Sequence, residues 1–488
     1  MVARPGPGVP LQGDVMTVRR DCGRAARGCR RMRGLAVLAV SAALAACAIE
    51  PVTPAVPDMP ERFRHAGPWR EAAPAMPQTG GATWAVLADD ELLRSLTSVA
   101  ANNQDLAQAQ ARHRQAVAAA NGARATLWPR VDASAAASRS GGGAEAAARR
   151  YVAGLDLAWT PDVWGRAGAE ADAAQFDVRA QQAAVGGARL LVEAEYARQY
   201  LRIRVLDAQT RMLRATEEAY ARSLALTRNQ YDVGLVARSD VLLAETQLAA
   251  VRVQLREQES ARAALEHALA VLLGLAPADF RLAPVADVPA PPSVPAGLPS
   301  ALLERRPDVV QAADDAHAAN LRVGVAQRAW FPDFTLQASG GWQSATLGQW
   351  LSAPARVWSI GPALAATLFD GGARAAGLER AQAVADEAAA RYRQRVLAAM
   401  QEVEDALAAI VTLDDVIARQ EEVVALAAEA ERLMRNQYAA GMVSFLDVAV
   451  AQNTTLAARR DLLDRVGARL DATVALIAAT GGGWERGL

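Results

Sequence analysis

Few side chains in this sequence could carry out catalytic or ligand-binding chemistry. The chain of 488 residues has four histidines and three cysteines, and all 52 of its basic residues are arginine. A P-loop and a pyridoxal Schiff base both need a lysine amine, so both are excluded. The histidines follow no zinc-protease motif, and we interpret His267 and His317 as packing or surface residues of helices. Acidic pairs such as Asp314 with Asp315 are interpreted as solvated helix faces, so no catalytic residue, metal site or cofactor is predicted.

Charge divides the chain into a basic N-terminus and a mildly acidic body. Residues 1–46 hold eight arginines and two aspartates, a net charge of +6. Since the whole chain carries −1, the remainder carries −7. An acidic body gives no support for nucleic-acid binding.

The N-terminal segment has the pattern of a lipoprotein leader. After the arginines come thirteen small or apolar residues, Gly34–Ala46, which are too few to cross a membrane and typical of a signal-peptide core. They end in Leu-Ala-Ala before Cys47, which resembles the bacterial lipobox, in which the cysteine is acylated and becomes the new N-terminus. We therefore predict a lipoprotein signal peptide over residues 1–46, lipidation at Cys47 and a proline-rich lipidated tail over residues 47–85. No cysteine follows Cys47, so disulfides play no part in the mature chain.

The rest of the chain is an internal duplication. Residues 228–241 match residues 435–448 at eight of fourteen positions, with a constant offset of 207. Two stretches without proline, 162–276 and 363–488, predict long helical hairpins, and a proline-rich segment separates them. The predicted boundaries are a first repeat at 86–276, a connector at 277–307 and a second repeat at 308–488.

Each repeat opens with two segments in which apolar and polar residues alternate. They predict strand hairpins at about 130–160 and 333–368, with strands of about ten residues, the length that a tilted strand needs to cross a bilayer. Seven of the ten tryptophans lie in or beside them, which resembles the aromatic girdles of a transmembrane barrel; the alternative is the core of a small soluble sheet. Four strands cannot close a barrel, and an open sheet edge is not viable in lipid. The barrel must therefore be shared between chains.

Long helical hairpins follow, at about 165–275 and 371–480. Their returning helices carry apolar or small residues at the alternating three- and four-residue spacing of a coiled coil. The spacing is compatible with a tube wall and with a bundle.

The turns of these hairpins are the most informative sites. Gly234 and Gly441 follow long helices, where a glycine with positive φ is expected. Ser444 to Asp447 has the pattern of a capping box that opens the next helix, and Asp240 occupies the equivalent place in the first repeat.

Several motifs occur in order along the chain and carry a family resemblance. They are Leu302-Leu-Glu-Arg-Arg-Pro-Asp308, Phe331-Pro332, Leu368-Phe-Asp-Gly-Gly372 and the paired turns with Tyr, Gly and Asp-Val. From Cys47 to about Gly483 the sequence resembles the TolC-like outer membrane factors, particularly the lipoprotein branch that includes OprM and NodT. The resemblance implies a mixed α and β fold: a trimeric transmembrane β-barrel with four strands per chain, continued by a long α-helical coiled-coil barrel.

The resemblance also implies a function and its partners. The chain is expected to be the outer-membrane channel component of a tripartite efflux or export system, a passive conduit anchored by lipid and extending into the periplasm. Its expected partners are two further copies in a homotrimer, a periplasmic adaptor (membrane fusion) protein, an inner-membrane transporter and outer-membrane lipid.

The family places adaptor docking and the channel aperture at the helical turns. The expected docking residues are Gly234, Leu235, Val236, Asp240, Gly441, Met442 and Val443, and the expected aperture residues are Tyr438 and Asp447. The gate of the family's best-known member also has an arginine and a second aspartate where this chain has Val443 and Val450, so an arginine-based lock is not expected. Asp447 could gate the channel or only cap a helix.

Two alternatives remain from the sequence. A lipid-anchored periplasmic coiled-coil scaffold would explain the helices but leaves four bilayer-length strands without a role. A lipoprotein enzyme would explain only the leader. The sequence does not name a cargo or the pump that the chain would serve.

Overall fold

A computed structural model describes Arg64, residues 84–141, 148–285, 288–292 and 305–482, and Trp484. All of these residues belong to the unit Thr53–Leu488. The predicted signal peptide, the predicted lipidation site at Cys47 and nearly all of the predicted tail lie outside the described residues.

Seven α-helices make up most of the described chain, and their lengths repeat. The two longest helices have 67 residues each, about 100 Å at about 1.5 Å per residue, and each is followed by a helix of 35 residues. The second long pair lies 207 positions after the first, as the sequence offset predicts. The helices are α1 Asp90–Asn102, α2 Gln104–Ala125, α3 Arg166–Asp232, α4 Arg238–Leu272, α5 Pro307–Arg328, α6 Ala373–Ala439 and α7 Phe445–Ala479.

Local sequence explains where the shorter helices begin. The Asp89 carboxylate accepts hydrogen bonds from two backbone N–H groups of the first turn of α1, and the Asn103 side chain does the same for α2. Helix α5 begins with Pro307, whose fixed φ and missing N–H suit the first helical position.

Four strands form one antiparallel sheet in the order β1-β2-β3-β4. They are β1 Arg130–Ser140, β2 Ala148–Trp159, β3 Asp333–Ser344 and β4 Arg356–Ala365. Strands β2 and β3 come from different repeats and pair directly, so the sheet joins the two halves. Within the described residues, β1 and β4 each have a neighbour on one side only.

The register divides the sheet into an apolar and a polar face. Leu155 lies opposite Gly340, which lies opposite Trp358, and the same face carries Ile360 and Leu364. On the other face the Ser134 hydroxyl donates to the Asp156 carboxylate, and the hydroxyls of Ser339 and Ser359 are 2.8 Å apart. The period-two faces predicted from the sequence are therefore confirmed.

Among the described residues, no other layer covers the apolar face. Trp358, Ile360 and Leu364 keep 66% to 79% of their surface exposed, although a soluble sheet would bury such residues. Among the described residues, no helix combines the length and the apolar composition needed to cross a membrane.

The main hydrophobic core lies where α1, α5 and the distal part of α4 pack around α3, α6 and α7. Its largest fully buried side chains include Tyr196, Tyr200, Leu269, Leu407 and Ile477. A second core, nearer the hairpin turns, contains Leu224, Leu248 and Val251 of the first hairpin. The seam residues predicted on α4 are mostly buried there, which confirms the coiled-coil spacing.

One ion pair between the two helices of each hairpin repeats with the duplication; Asp207 and Arg469 are buried, whereas Asp414 is exposed. The Arg262 guanidinium donates from Nε to Asp207 Oδ1 at 2.6 Å, and the Arg469 guanidinium donates from Nε to Asp414 Oδ1 at 2.7 Å. Each member lies 207 positions from its counterpart. Arg262 also donates to the Leu282 carbonyl oxygen at 2.8 Å, so the first pair holds the start of the connector against the helices.

The interpretation of Asp314 and Asp315 as a solvated helix face is wrong. Asp314 is 2% exposed, and Asp315 is half-buried, with burial as the main cause that raises the pKa of its carboxyl group. Helix α5 packs along the alanine-rich α3, and small side chains let the two helices approach closely enough to exclude water.

The centre of the sheet requires glycine at one position. A Cβ atom on Gly341 would lie 2.2 Å from the Ala153 carbonyl oxygen and 2.6 Å from the Gly154 Cα atom. Because these are backbone atoms, the strands themselves would have to separate. The glycines therefore allow β2 and β3 to approach closely at this level.

We predict that Gly341→Ala lowers the free energy of unfolding by about 1–3 kcal/mol, because the added methyl group overpacks against backbone. Denaturant unfolding in detergent, followed by circular dichroism, measures this change. Gly340→Ala is the matched control, since a Cβ atom there meets nothing within 4 Å. Equal unfolding midpoints for the two variants would contradict the prediction.

Candidate functional site at the hairpin turns

The first helical hairpin turns through a glycine in the left-handed region. Gly234 has φ 79°, and its N–H donates to the Tyr231 carbonyl oxygen at 2.9 Å. The Leu235 N–H donates to the Gln230 carbonyl oxygen at 2.8 Å. These two bonds form the Schellman motif that ends a helix, so the predicted helix-ending role of Gly234 is confirmed.

The second hairpin turns in the same way. Gly441 has φ 74°, and its N–H donates to the Tyr438 carbonyl oxygen at 2.9 Å. The Met442 N–H donates to the Gln437 carbonyl oxygen at 2.9 Å. Positions 234 and 441 therefore play the same part in the two repeats.

The two turns differ at the start of the returning helix. Asp447 accepts hydrogen bonds from the Ser444 backbone N–H at 3.0 Å and from the Ser444 hydroxyl at 2.7 Å, and a capping box is complete. Helix α4 instead follows Ala237, which has no side-chain oxygen to cap the helix. The capping box predicted for the second turn is confirmed, whereas Asp240 has no equivalent partner at its N-cap.

The capping bonds change the titration of Asp447. The Ser444 hydroxyl and then the Ser444 N–H hold the pKa of the Asp447 carboxyl below its ordinary value. A carboxyl whose pKa is lower in the folded protein stabilises the fold above its unfolded pKa. That stabilisation is lost as the pH falls through the folded pKa, so Asp447 stays ionised at neutral pH.

Tyr438 lies inside the protein. Its side chain is 4% exposed, its ring packs edge-on against Phe445 with centroids 5.6 Å apart, and its hydroxyl donates to Thr227 Oγ1 at 3.1 Å. Thr227 belongs to α3, so this bond joins the two hairpins. Burial, and to a smaller extent Asp240, raise the pKa of Tyr438, while the Thr227 bond opposes the rise.

The predicted docking residues form a small surface at each of the two turns. Leu235 and Met442 keep 73% and 68% of their surface exposed, and Gly234 and Gly441 are exposed beside them. The remaining three, Val236, Asp240 and Val443, are half-buried. Within the described ranges, no group of three or more His, Cys, Asp or Glu side chains could hold a metal ion.

Comparison with known proteins matches nearly the whole described chain. The family model for outer membrane efflux proteins matches residues 96–275 and 298–482. The chain belongs to the outer membrane efflux protein family.

Individual relatives agree with this assignment. The cation efflux system protein CusC of Escherichia coli is 29% identical over 83% of this chain and 89% of its own length. The probable efflux pump outer membrane protein TtgC of Pseudomonas putida is 30% identical over 74% of this chain and 76% of its own. The solved outer-membrane channel OprN superposes with a TM-score of 0.81 at 27% identity, covering 88% of this chain and 99% of that one. The expected fold class is confirmed by these similarities.

Within this efflux family fold, the structure adds residues that the sequence analysis did not single out. Thr227 is fully buried, and its own hydroxyl donates to the Ser223 carbonyl oxygen at 3.0 Å. Gln452 of α7 is 2% exposed and donates to the Ser223 hydroxyl at 3.2 Å. A sequence signal existed, because Thr227 continues the buried seam of Leu213, Tyr220 and Leu224 with a polar residue.

The predicted aperture residues therefore differ in position. Asp447 is exposed at the turn, whereas the Tyr438 ring is enclosed between the hairpins. That either residue lines an aperture stays a prediction, and for Tyr438 it requires a conformation in which the hairpins have separated.

We predict that Tyr438→Phe loosens the contact between the hairpins, because it removes the hydroxyl that donates to Thr227. Loss of one such bond costs about 0.5–1.5 kcal/mol. Amide hydrogen exchange in residues 223–227 and 438–445 should speed up by about 2- to 10-fold if these segments exchange by local opening. Tyr231→Phe is the matched control, since Tyr231 is the equivalent residue of the first turn and is 39% exposed. Equal exchange in both variants would show that the hydroxyl does not hold the hairpins.

Proposed function

We propose that this protein is the outer-membrane channel component of a tripartite efflux or export system. It acts as a passive conduit, with its sheet in the outer membrane and its helices reaching into the periplasm. The observation that carries the proposal is a four-stranded sheet with one apolar face and one polar face, whose two edges are unpaired within the described residues. Helices of about 100 Å continue directly from this sheet.

The two faces suit the wall of a water-filled barrel. The apolar face, which carries Trp159, Trp342 and Trp358, suits lipid, and the polar face with its three aspartates, Asp132, Asp156 and Asp333, suits an aqueous lumen. Unpaired backbone groups on the edges of β1 and β4 are not tolerated in lipid, so further copies must pair with them. Three copies give twelve strands and twelve long helices, in agreement with the trimer that the family resemblance implies.

Lipidation at Cys47 would add a second anchor. An acyl chain alone gives weak and reversible binding, whereas a closed barrel inserts stably. We assign Cys47 to delivery and anchoring at the outer membrane.

The hairpin turns are the proposed contact with the rest of the export system. Leu235 and Met442 project from the Schellman turns with most of their surface exposed, so they are available to an adaptor protein. An inner-membrane transporter would supply the energy for export. Docking would favour separation of the hairpins, which are joined at Tyr438 and Thr227.

A lipid-anchored scaffold is the second candidate. It would account for the long helices, but it would leave the apolar face of the sheet in water. The exposure of Trp358, Ile360 and Leu364 favours the channel.

Single-channel conductance of the reconstituted protein tests the proposal. A substitution at Asp447 tests whether this residue lines the aperture. We predict that Asp447→Ala raises conductance or lowers cation preference, because a ring of three carboxylates would narrow and polarise the aperture. Absence of channels from the wild-type protein, together with absence of detergent-stable trimers, would favour the scaffold.

Two controls separate charge from helix capping in this experiment. Ser444→Ala removes the capping partner but keeps the Asp447 charge, and Asp461→Ala removes an exposed charge farther along α7. Both should leave ion selectivity unchanged. If Asp447→Ala also leaves conductance and selectivity unchanged, Asp447 is a cap only.

We predict that Cys47→Ser lowers the fraction of protein that reaches the outer membrane but not the fraction of that protein which is trimeric. The reason is that the acyl chains serve delivery whereas strand pairing serves assembly. Membrane fractionation and unheated gel electrophoresis measure the two fractions separately. Loss of trimers in this variant would contradict the prediction.

A further inference from the structure

The apolar face of the sheet carries charge at one end only. On the four described strands, its charged residues are Arg139, Arg149 and Arg356, all towards the ends that lead into the hairpin loops. The strand carboxylates lie on the opposite face. The apolar face is therefore positively charged at its loop end, with no acid on that face to balance it.

Two of these arginines face each other. Arg139 and Arg149 are direct partners in the β1–β2 register, and both are exposed. Like charges directly opposite each other on one sheet face are destabilising unless an anion lies between them. The described residues provide neither arginine with an acidic partner, and Glu145 is the single acid in the intervening sequence.

Arg356 lies beside an apolar depression of about 540 Å³ on the same face. Gly340 leaves its floor open, since a Cβ atom there meets nothing within 4 Å. Leu155, Trp342 and Trp358 line it, and Trp358 is 79% exposed. An apolar hollow with a guanidinium at its edge matches a molecule that has a hydrocarbon chain and an anionic head.

We propose that this surface binds a phosphorylated lipid of the outer leaflet, with its acyl chain in the Gly340 depression and its phosphate on Arg356. The Arg139–Arg149 pair adds positive charge for the headgroup region. The inference rests on the proposed function, because it requires the apolar face to be in the membrane.

Charge and geometry favour a lipid over other occupants. Guanidinium groups bind phosphate oxygens through two parallel charge-assisted hydrogen bonds. On the four described strands, every charged residue of this face is an arginine. A second copy of the chain would pair with the edges of β1 and β4, whereas the floor of the depression is on the interior strand β3.

Native mass spectrometry of the full-length trimer with added lipid A tests the proposal. Wild-type trimers should retain lipid A and should bind dephosphorylated lipid A about tenfold more weakly. Arg356→Gln should weaken lipid A binding by about tenfold, and the Arg139→Gln/Arg149→Gln double variant should weaken it as well. Gly340→Leu should weaken binding of both lipids by filling the depression.

Matched controls lie on the opposite face of the same strands. Arg150→Gln removes the neighbouring charge, whose guanidinium donates to Gln343 at 2.8 Å, and Gly361→Leu fills an open position on β4. Both should retain wild-type lipid binding, as should Glu145→Gln.

The outcomes separate this inference from the proposed function. Trimers that conduct ions but bind lipid A equally with and without Arg356 would overturn the lipid site and leave the channel intact. Equal binding of phosphorylated and dephosphorylated lipid would also overturn it. Failure of the wild-type protein to form conducting trimers would instead count against the proposed function.

Discussion

The backbone groups along the two edges of the sheet constrain everything else in this protein. Strands β1 and β4 each pair on one side, and the apolar face of the sheet is covered by no other part of the described chain. In water, exposure of the apolar face is unfavourable, and in lipid, the unpaired backbone groups of the two edges are unfavourable. A single chain is therefore stable in neither environment. Pairing with further copies resolves both problems, because closure removes the edges while the apolar face stays in lipid. The helices that leave each strand hairpin are then arranged around the same axis as the strands.

The duplication supplies two similar hairpins, and their small differences show which contacts the architecture needs in both. The ion pairs Asp207–Arg262 and Asp414–Arg469 have kept the same positions and nearly the same distance. Removing either carboxylate would leave the largely buried guanidinium of Arg262 or Arg469 without its partner, which is destabilising. The hairpin turns have kept the glycine geometry, but only the second has a complete capping box at Asp447. The two hairpins therefore share the ion pair that lies far from the turns, but they differ in helix capping at the turns.

The sequence predicted the regular parts of the fold because those parts depend on local periodicity. Alternation of apolar and polar residues predicted the strands and their faces, and the absence of proline predicted the long helices. Gly234 and Gly441 predicted the turns between the helices. The burial of Asp314 was missed because it depends on how closely two alanine-rich helices approach, which no local pattern records. The Tyr438–Thr227 bond was missed for a similar reason, since it joins residues 211 positions apart. Side-chain partners across elements follow from packing, and packing is only weakly encoded in spacing.

The way in which the two hairpins are joined near the turns bears on how such a channel could open. The hydrogen bonds that join the hairpins there, such as those from Tyr438 to Thr227 and from Gln452 to Ser223, connect uncharged groups, and the surrounding core is apolar. Ion pairs such as Arg228–Glu245 lie within the first hairpin instead. Near the turns, separation of the hairpins would therefore expose no buried charge of the described residues, and its cost would be a few hydrogen bonds and apolar contacts. A docking partner can shift such an equilibrium only by the difference between its affinities for the open and closed states. Because the interface is uncharged, the free energy of opening is small, and a small difference in affinity is sufficient. Since burial raises the pKa of Tyr438, its hydroxyl stays protonated at neutral pH and keeps its hydrogen bond to Thr227. Opening would therefore respond to the docking partner rather than to pH.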